Sequence, residues 1–192
     1  MRRASYGWAL SAMSEVRKRW VVFCHPHAHV EFGRDVYLGP GFSVSIPEGG
    51  SLIVGSGVQF RRNFRAEISD RGRVSIGDGS ILTYGVVIQC TTSIDVGQRC
   101  IVAQGTLLVD GSHRFRDLDR PVLQQGYDFR PIRIGDDAAI MSNCTVLADV
   151  GRHAFVGANA VVANEVPPFT VAVGAPARSV EYFGPDADDR AD

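Results

Sequence analysis

One short pattern recurs along this chain and restricts its fold more than any other feature. EFGRD, IVGSG, SIGDG, DVGQR, RIGDD and DVGRH each place an apolar residue directly before a glycine. Stepping by six from those apolar residues gives Phe32, Leu38, Val44; Val54, Phe60, Ala66; and Ile76, Leu82, Ile88. The series continues with Val96, Val102, Leu108; Ile134, Ile140, Val146; and Val150, Val156, Val162. All 18 of these positions are apolar, and a fixed short period of this kind marks a solenoid. Gly33, Gly55, Gly77, Gly97, Gly135 and Gly151 follow the first member of each triplet, where they are expected to supply permissive backbone.

Three six-residue rungs per turn describe a chain winding round a triangular prism, each stepped residue pointing inward onto its counterpart in the next coil. The residue four after a rung start is generally compact, as at Val58, Ser80, Val86, Cys100, Ala138, Cys144, Ala154 and Ala160, with Phe42 and Phe64 as exceptions. A β-sandwich also alternates apolar and polar residues, but has no reason to hold a period of six through six turns.

The triplets start 22, 22, 20, 38 and 16 residues apart. The long interval is an excursion of the chain at 110–131, DGSHRFRDLDRPVLQQGYDFRP, and long departures from a rigid scaffold are where chemistry concentrates. It contains His113, with Asp110, Arg114, Arg116, Asp117, Asp119 and Tyr127 as further polar candidates. An imidazole titrates near neutrality and can take the proton of a hydroxyl that is too weak a nucleophile unaided. Its second nitrogen then needs an acceptor to fix the tautomer. Asp110 is the first carboxylate to consider for that task, although Asp before Gly is equally at home in a turn.

The chain divides into residues 1–29, a helix and lead-in strand; 30–181, the prism; and 182–192, an acidic tail. Over residues 5–20, Ala9, Met13, Val16 and Trp20 share one helical face, with Ser5 as N-cap. A helix lying across the open end of a solenoid would cover its unpaired strand edges. The basic residues Arg2, Arg3, Arg17, Lys18 and Arg19 also suit a helix resting on a membrane surface; capping is the preferred reading. The tail GPDADDRAD is too polar to pack.

A formal charge of −1 gives no global basic field for nucleic acid. No apolar run reaches the roughly 18 residues that cross a bilayer. The four cysteines form no CxxC pair and no secretory h-region is found, so a reduced, cytoplasmic protein with free thiols is expected. In CHPHAHVEF, residues 24–32, three histidines alternate, and extending the strand back from Phe32 turns Val30 inward and His25, His27 and His29 outward. Zinc or nickel held there with help from a neighbouring subunit is the alternative to an exposed lead-in strand; no metal is the expectation.

The segment PIRIGDDAAIMSNCTVLADVGRHAFVGANAVVANEVPPFTVAVGAPARSV resembles the C-terminal half of the hexapeptide-repeat acyltransferases, with VPPFTVAVGAPAR its most specific part. The resemblance spans residues 30–181 and implies a mainly β, left-handed parallel β-helix, a handedness not read from the spacing. It implies acetyl-CoA as co-substrate and a homotrimer with sites between subunits. His113 matches the family's general base. Ser142, Ala158, Ala163, Asn164 and Arg178 match positions that touch coenzyme A, with a backbone N–H near Ser142 as oxyanion donor and Arg178 as partner of a phosphate. Related trimers of the gamma carbonic anhydrase type hold a metal with three histidines inside the coils, a spacing absent around His113 and His153.

Three departures from the family pattern stand out. Ala139-Ile140-Met141 replaces a common Trp-Ile-Gly, Ala163-Asn164 replaces Thr-Lys, and the coil from Ile134 lacks two residues. The expected activity is O-acetylation of a carbohydrate hydroxyl. N-acetylation of a nucleotide-linked amino sugar is the close variant, a non-catalytic trimeric scaffold that has lost coenzyme A the second, and a metal-dependent hydratase the third.

Overall fold

The computed structural model describes the backbone of residues 2–185 and side chains from residue 12 onward. Behind an N-terminal helix the chain winds into a prism with three parallel faces, of five, eight and six strands. The repeat read from the sequence is the register of these faces. Phe32 pairs with Val54, Val54 with Ile76, Ile76 with Val96 and Val96 with Ile134 on the first face. Leu38, Phe60, Leu82, Val102, Ile140 and Val156 stack on the second. Val44, Ala66, Ile88, Leu108, Val146 and Val162 stack on the third.

All of these side chains are buried except Phe32 and Val44, which are half-buried in the first coil, where no coil lies beneath them. A further coil, not anticipated, adds Val166 and Ala172 to the stack. Phe42, Phe60 and Phe64 meet at ring-centroid distances of 4.6 to 5.2 Å. Bulky corners are accommodated there because Ala66 is the smallest rung residue on the same face, so the layer keeps its volume.

The glycines that follow the first-face rung residues serve close packing instead of unusual torsions. A Cβ on Gly77 would stand 2.5 Å from the carbonyl carbon of Gly97 in the next coil, closer than any side chain tolerates. Left-handed backbone falls two residues later, at Asp35, Gly57, Gly79, Arg99, Asp137, His153 and Phe169, and again at the next corner, at Gly41, Asn63, Gly85, Gly105, Asn143 and Asn159. Coil lengths vary only at the corner between the third and first faces: Val146 to Val150 takes four residues where Val44 to Val54 takes ten. That corner can expand or contract without disturbing the rungs.

The N-terminal helix runs Arg2–Cys24, longer than the 5–20 expected. Its apolar face does not cap the prism. Met13, Val16 and Trp20 are exposed, whereas Ser14 and Val21 are buried; the side chains of Ser5 and Ala9 lie outside the described residues. The Ser14 hydroxyl donates to Val36 O (3.3 Å) and accepts from Leu38 N (2.8 Å), and Arg17 Nη1 donates to Leu38 O (2.9 Å). An open strand end presents unpaired backbone groups, so polar side chains are what it requires. The last strand, Arg178–Tyr182, turns back antiparallel on Thr170–Val173 and closes the far end. The tail beyond residue 185 lies outside the described residues.

Candidate active site

The expected excursion leaves the third face after Val109 and returns at Ile132 as an antiparallel hairpin, Gly111–His113 against Tyr127–Phe129. Arg130 N donates to Asp110 O (2.7 Å) at its base, and Arg114 Nε donates to Asp128 Oδ1 (2.6 Å) higher up. Gln125 organises the tip: its Nε2 donates to the carbonyls of Asp117 and Arg120, and its Oε1 accepts from Asp117 N.

His113 is exposed, and its ring lies 4.3 Å from that of Tyr127, which stacks in turn on Phe129 at 5.5 Å. This aromatic wall faces the outward side chains of the third face across a cavity of about 670 Å³. The facing wall carries Ser45, Glu67 and Gln89 in three successive coils, with Gln89 Nε2 donating to Glu67 Oε2 at 3.4 Å. Ser69, Thr91 and Ser112 add hydroxyls to the lining. The composition, flat aromatic surface beside hydroxyls, an amide and the carboxylates of Glu67 and Asp110, is that of a site for a polar, hydroxylated molecule.

Glu67, Gln89 and Phe129 were not singled out in the sequence. Glu67 and Gln89 lie 22 residues apart and are brought together by coil stacking, whereas Phe129 arrives on the hairpin, two residues beyond Tyr127. The signal for two of them was present nonetheless: each follows a third-face rung residue, Ala66 or Ile88, and so points outward.

Asp110 also lines the cavity, but it is buried and its carboxylate is committed. Thr91 N (2.8 Å), Thr92 N (2.6 Å) and the Thr92 hydroxyl (2.7 Å) all donate to it, and the Cys90 thiol donates at 3.7 Å. Among the described residues it makes no hydrogen bond to His113. Asp110 therefore fastens the preceding coil's corner to the root of the hairpin. Burial, with the Asp110 charge second, pushes the Cys90 thiol up to about 12. Burial also raises Cys100 and Cys144, so three of the four cysteines are packing residues and Cys24 alone is exposed.

The residues matched to coenzyme A contacts divide between two edges of the third face. Ser142 and Ala158 occupy the corner between the second and third faces, stacked through Asn159 N to Ser142 O (2.9 Å). The GAPAR turn lies over that corner, Ala177 N donating to Val161 O (2.8 Å), and Arg178 beyond it is exposed. Ala163 and Asn164 lie across the face, at the corner that bears the hairpin; Ala163 lines a hollow of about 320 Å³ on the hairpin's other side. The edge bearing Ser142 and Ala158 presents small, exposed or half-exposed side chains, as a groove for a long chain-like molecule requires.

The lead-in strand begins at His29 and does not extend back over His25 and His27 as expected, because the helix runs on to Cys24 and a turn follows it. His25 Nδ1–H donates to Val21 O (2.8 Å) at the helix end, and His29 Nε2 lies 3.1 Å from Glu31 Oε1. Val30 and Phe32 turn inward as expected, with His29 and Glu31 outward. Among the described residues no cluster of three or more His, Cys, Asp or Glu side chains is placed to hold a metal ion.

No protein-family model matches the chain. It is 32% identical over 151 residues to a probable acetyltransferase of Mycobacterium tuberculosis, covering 76% of this chain and 49% of that protein. It is 29% identical over 125 residues to the serine acetyltransferase of Salmonella typhimurium, covering 62% and 42%. The chain thus spans about half or less of the length of these two relatives. With a putative lipopolysaccharide biosynthesis O-acetyl transferase of Escherichia coli it shares 25% identity over 151 residues, covering 74% and 77%.

Among solved structures, a hexapeptide-repeat-containing acetyltransferase from Vibrio cholerae matches at TM-score 0.57 and 26% identity, over 77% of this chain and 73% of that one. A galactoside acetyltransferase in complex with coenzyme A matches at TM-score 0.61 and 21% identity, over 92% and 74%. The three-faced prism is the left-handed β-helix of these proteins. In repeat and fold the chain is similar to the hexapeptide-repeat acetyltransferases.

Proposed function

We propose that the chain is an acetyl-CoA-dependent O-acetyltransferase acting on a carbohydrate hydroxyl. The observation that carries the proposal is the cavity joining His113 to an aromatic wall and a ladder of hydroxyl, amide and carboxylate side chains. Galactoside and lipopolysaccharide acetyltransferases among the similar proteins support the same choice of acceptor.

The bound donor supplies a thioester carbonyl. Neutral His113 takes the proton from the acceptor hydroxyl as its oxygen bonds to the acyl carbon, then returns it to the departing sulfur, so the imidazole ends neutral. Tyr127 holds the ring from one side. Asp110 acts on His113 through the backbone, fixing the root of the strand that bears it. Ser142, Ala158, Ala163, Asn164 and Arg178 line the donor groove, with a backbone N–H near Ser142 available to the developing oxyanion and Arg178 to a phosphate.

Because His113 and the Ser142–Ala158 corner occupy opposite edges of one face, the working site joins His113 of one subunit to the groove of the next in a homotrimer. Calorimetric titration with acetyl-CoA, which needs no acceptor, tests the proposal: one micromolar site per chain is expected. No binding at millimolar donor would mean that Ala139, Met141 and Asn164 have closed the groove, and the protein would be a scaffold.

A further inference from the structure

The N-terminal helix meets the prism with its polar side, which leaves its apolar side unaccounted for. Met13, Val16, Trp20 and Phe23 are 50%, 59%, 64% and 76% exposed. At 100° per residue they form one stripe, and Trp20 and Phe23 lie against each other with ring centroids 5.9 Å apart. Isolated apolar residues on a surface need no explanation, but four on one helical face form a continuous patch.

Charge identifies what covers it. Segment 2–24 carries five basic residues and one carboxylate, whereas the whole chain has a formal charge of −1, so the remainder is net acidic. Glu15, the one acid in this segment, pairs with Lys18 at 2.5 Å, so the sequence of the segment holds no further acid to offset its four arginines. Arg19 flanks the stripe by helical position and is exposed, whereas Arg17 is drawn to the prism through Leu38 O. A second copy of the helix would bring two like-charged surfaces together. The acidic tail GPDADDRAD has no large apolar side chain to cover Trp20 or Phe23, and it starts at the opposite end of a rod of seven coils, roughly 30 Å away at about 4.8 Å per coil.

We propose that this helix docks the protein on an anionic lipid surface, lying in the plane of the interface with Trp20 and Phe23 among the acyl chains and Arg19 at the headgroups. Aromatic residues in a basic helix suit that depth, and anionic headgroups supply the complementary charge. No described helix is long and apolar enough to cross a membrane, so the contact is peripheral. The proposal holds whatever reaction the prism catalyses.

Co-sedimentation of the full chain with phosphatidylcholine vesicles, with and without about 30% phosphatidylglycerol, tests it, comparing the native protein with a Trp20→Glu/Phe23→Glu variant. Binding to the anionic vesicles is expected, weakened by salt, absent on pure phosphatidylcholine and reduced by about tenfold or more in the variant. The variant should melt as the native protein does, since neither side chain packs in the core. Native protein that stays in the supernatant with anionic vesicles overturns the proposal. So does a variant whose mass by light scattering drops, because the stripe would then be a subunit contact.

Discussion

His113 and Tyr127 face each other across the hairpin as its outermost register pair, their rings 4.3 Å apart. The imidazole packs on an aromatic ring, and among the described residues no carboxylate hydrogen-bonds it.

If His113 is the base, His113→Ala lowers turnover by about 10² to 10⁴ while acetyl-CoA binds as before. Tyr127→Phe keeps the ring and should keep most of the rate. Tyr127→Ala should lower kcat more than it changes the affinity for donor. Steady-state kinetics beside calorimetry separates these effects, and a His113→Ala enzyme at native rate would remove the residue from the mechanism.

Asp110→Asn replaces an acceptor of four donors by a side chain with one acceptor oxygen and an NH₂ that faces other donors. A loss of about 1–3 kcal/mol in stability is expected, read from urea unfolding, with part of the activity retained at low temperature. A variant of native stability and no turnover would show instead that Asp110 serves the imidazole directly.

Gly77→Ala sets a methyl group against the backbone of the next coil, and a cost of about 1–3 kcal/mol follows from such overpacking. Gly126→Ala, where nothing stands in the way of the new carbon, tests a different constraint, its positive φ of 79°. Thermal unfolding of both variants distinguishes steric exclusion from backbone strain.

Cys24 alone is exposed, so a thiol reagent at pH 8 should label one cysteine per native chain and four in denaturant. The Cys90 thiol, ordinarily at 9.0, stands near 12 in the fold. Between those values the unfolded chain has released a proton that the native state retains, so stability falls as pH rises from about 9 toward 12. Below 9 both states hold the proton and the effect vanishes. The difference between native protein and Cys90→Ala across that window isolates the contribution.

The sequence by itself determined the prism. A six-residue period is a local property, repeated in every coil, and the rung residues Phe32 to Val162 pair as that spacing requires. The position of the hairpin was equally legible, because a missing repeat is visible as an interval. Only the tertiary structure decided what stands opposite His113. Glu67 and Gln89 reach the cavity through stacking of coils 22 residues long, and Asp110 turned out to be held by Thr91 and Thr92 one coil below.

The helix shows the same division. Its periodicity located an apolar face correctly, and the face then lay outward. What the end of the prism presents is a row of backbone donors and acceptors, so Ser14 and Arg17 satisfy it. An apolar stripe in a sequence says which residues share a side; which side meets the fold depends on what the rest of the fold leaves unpaired.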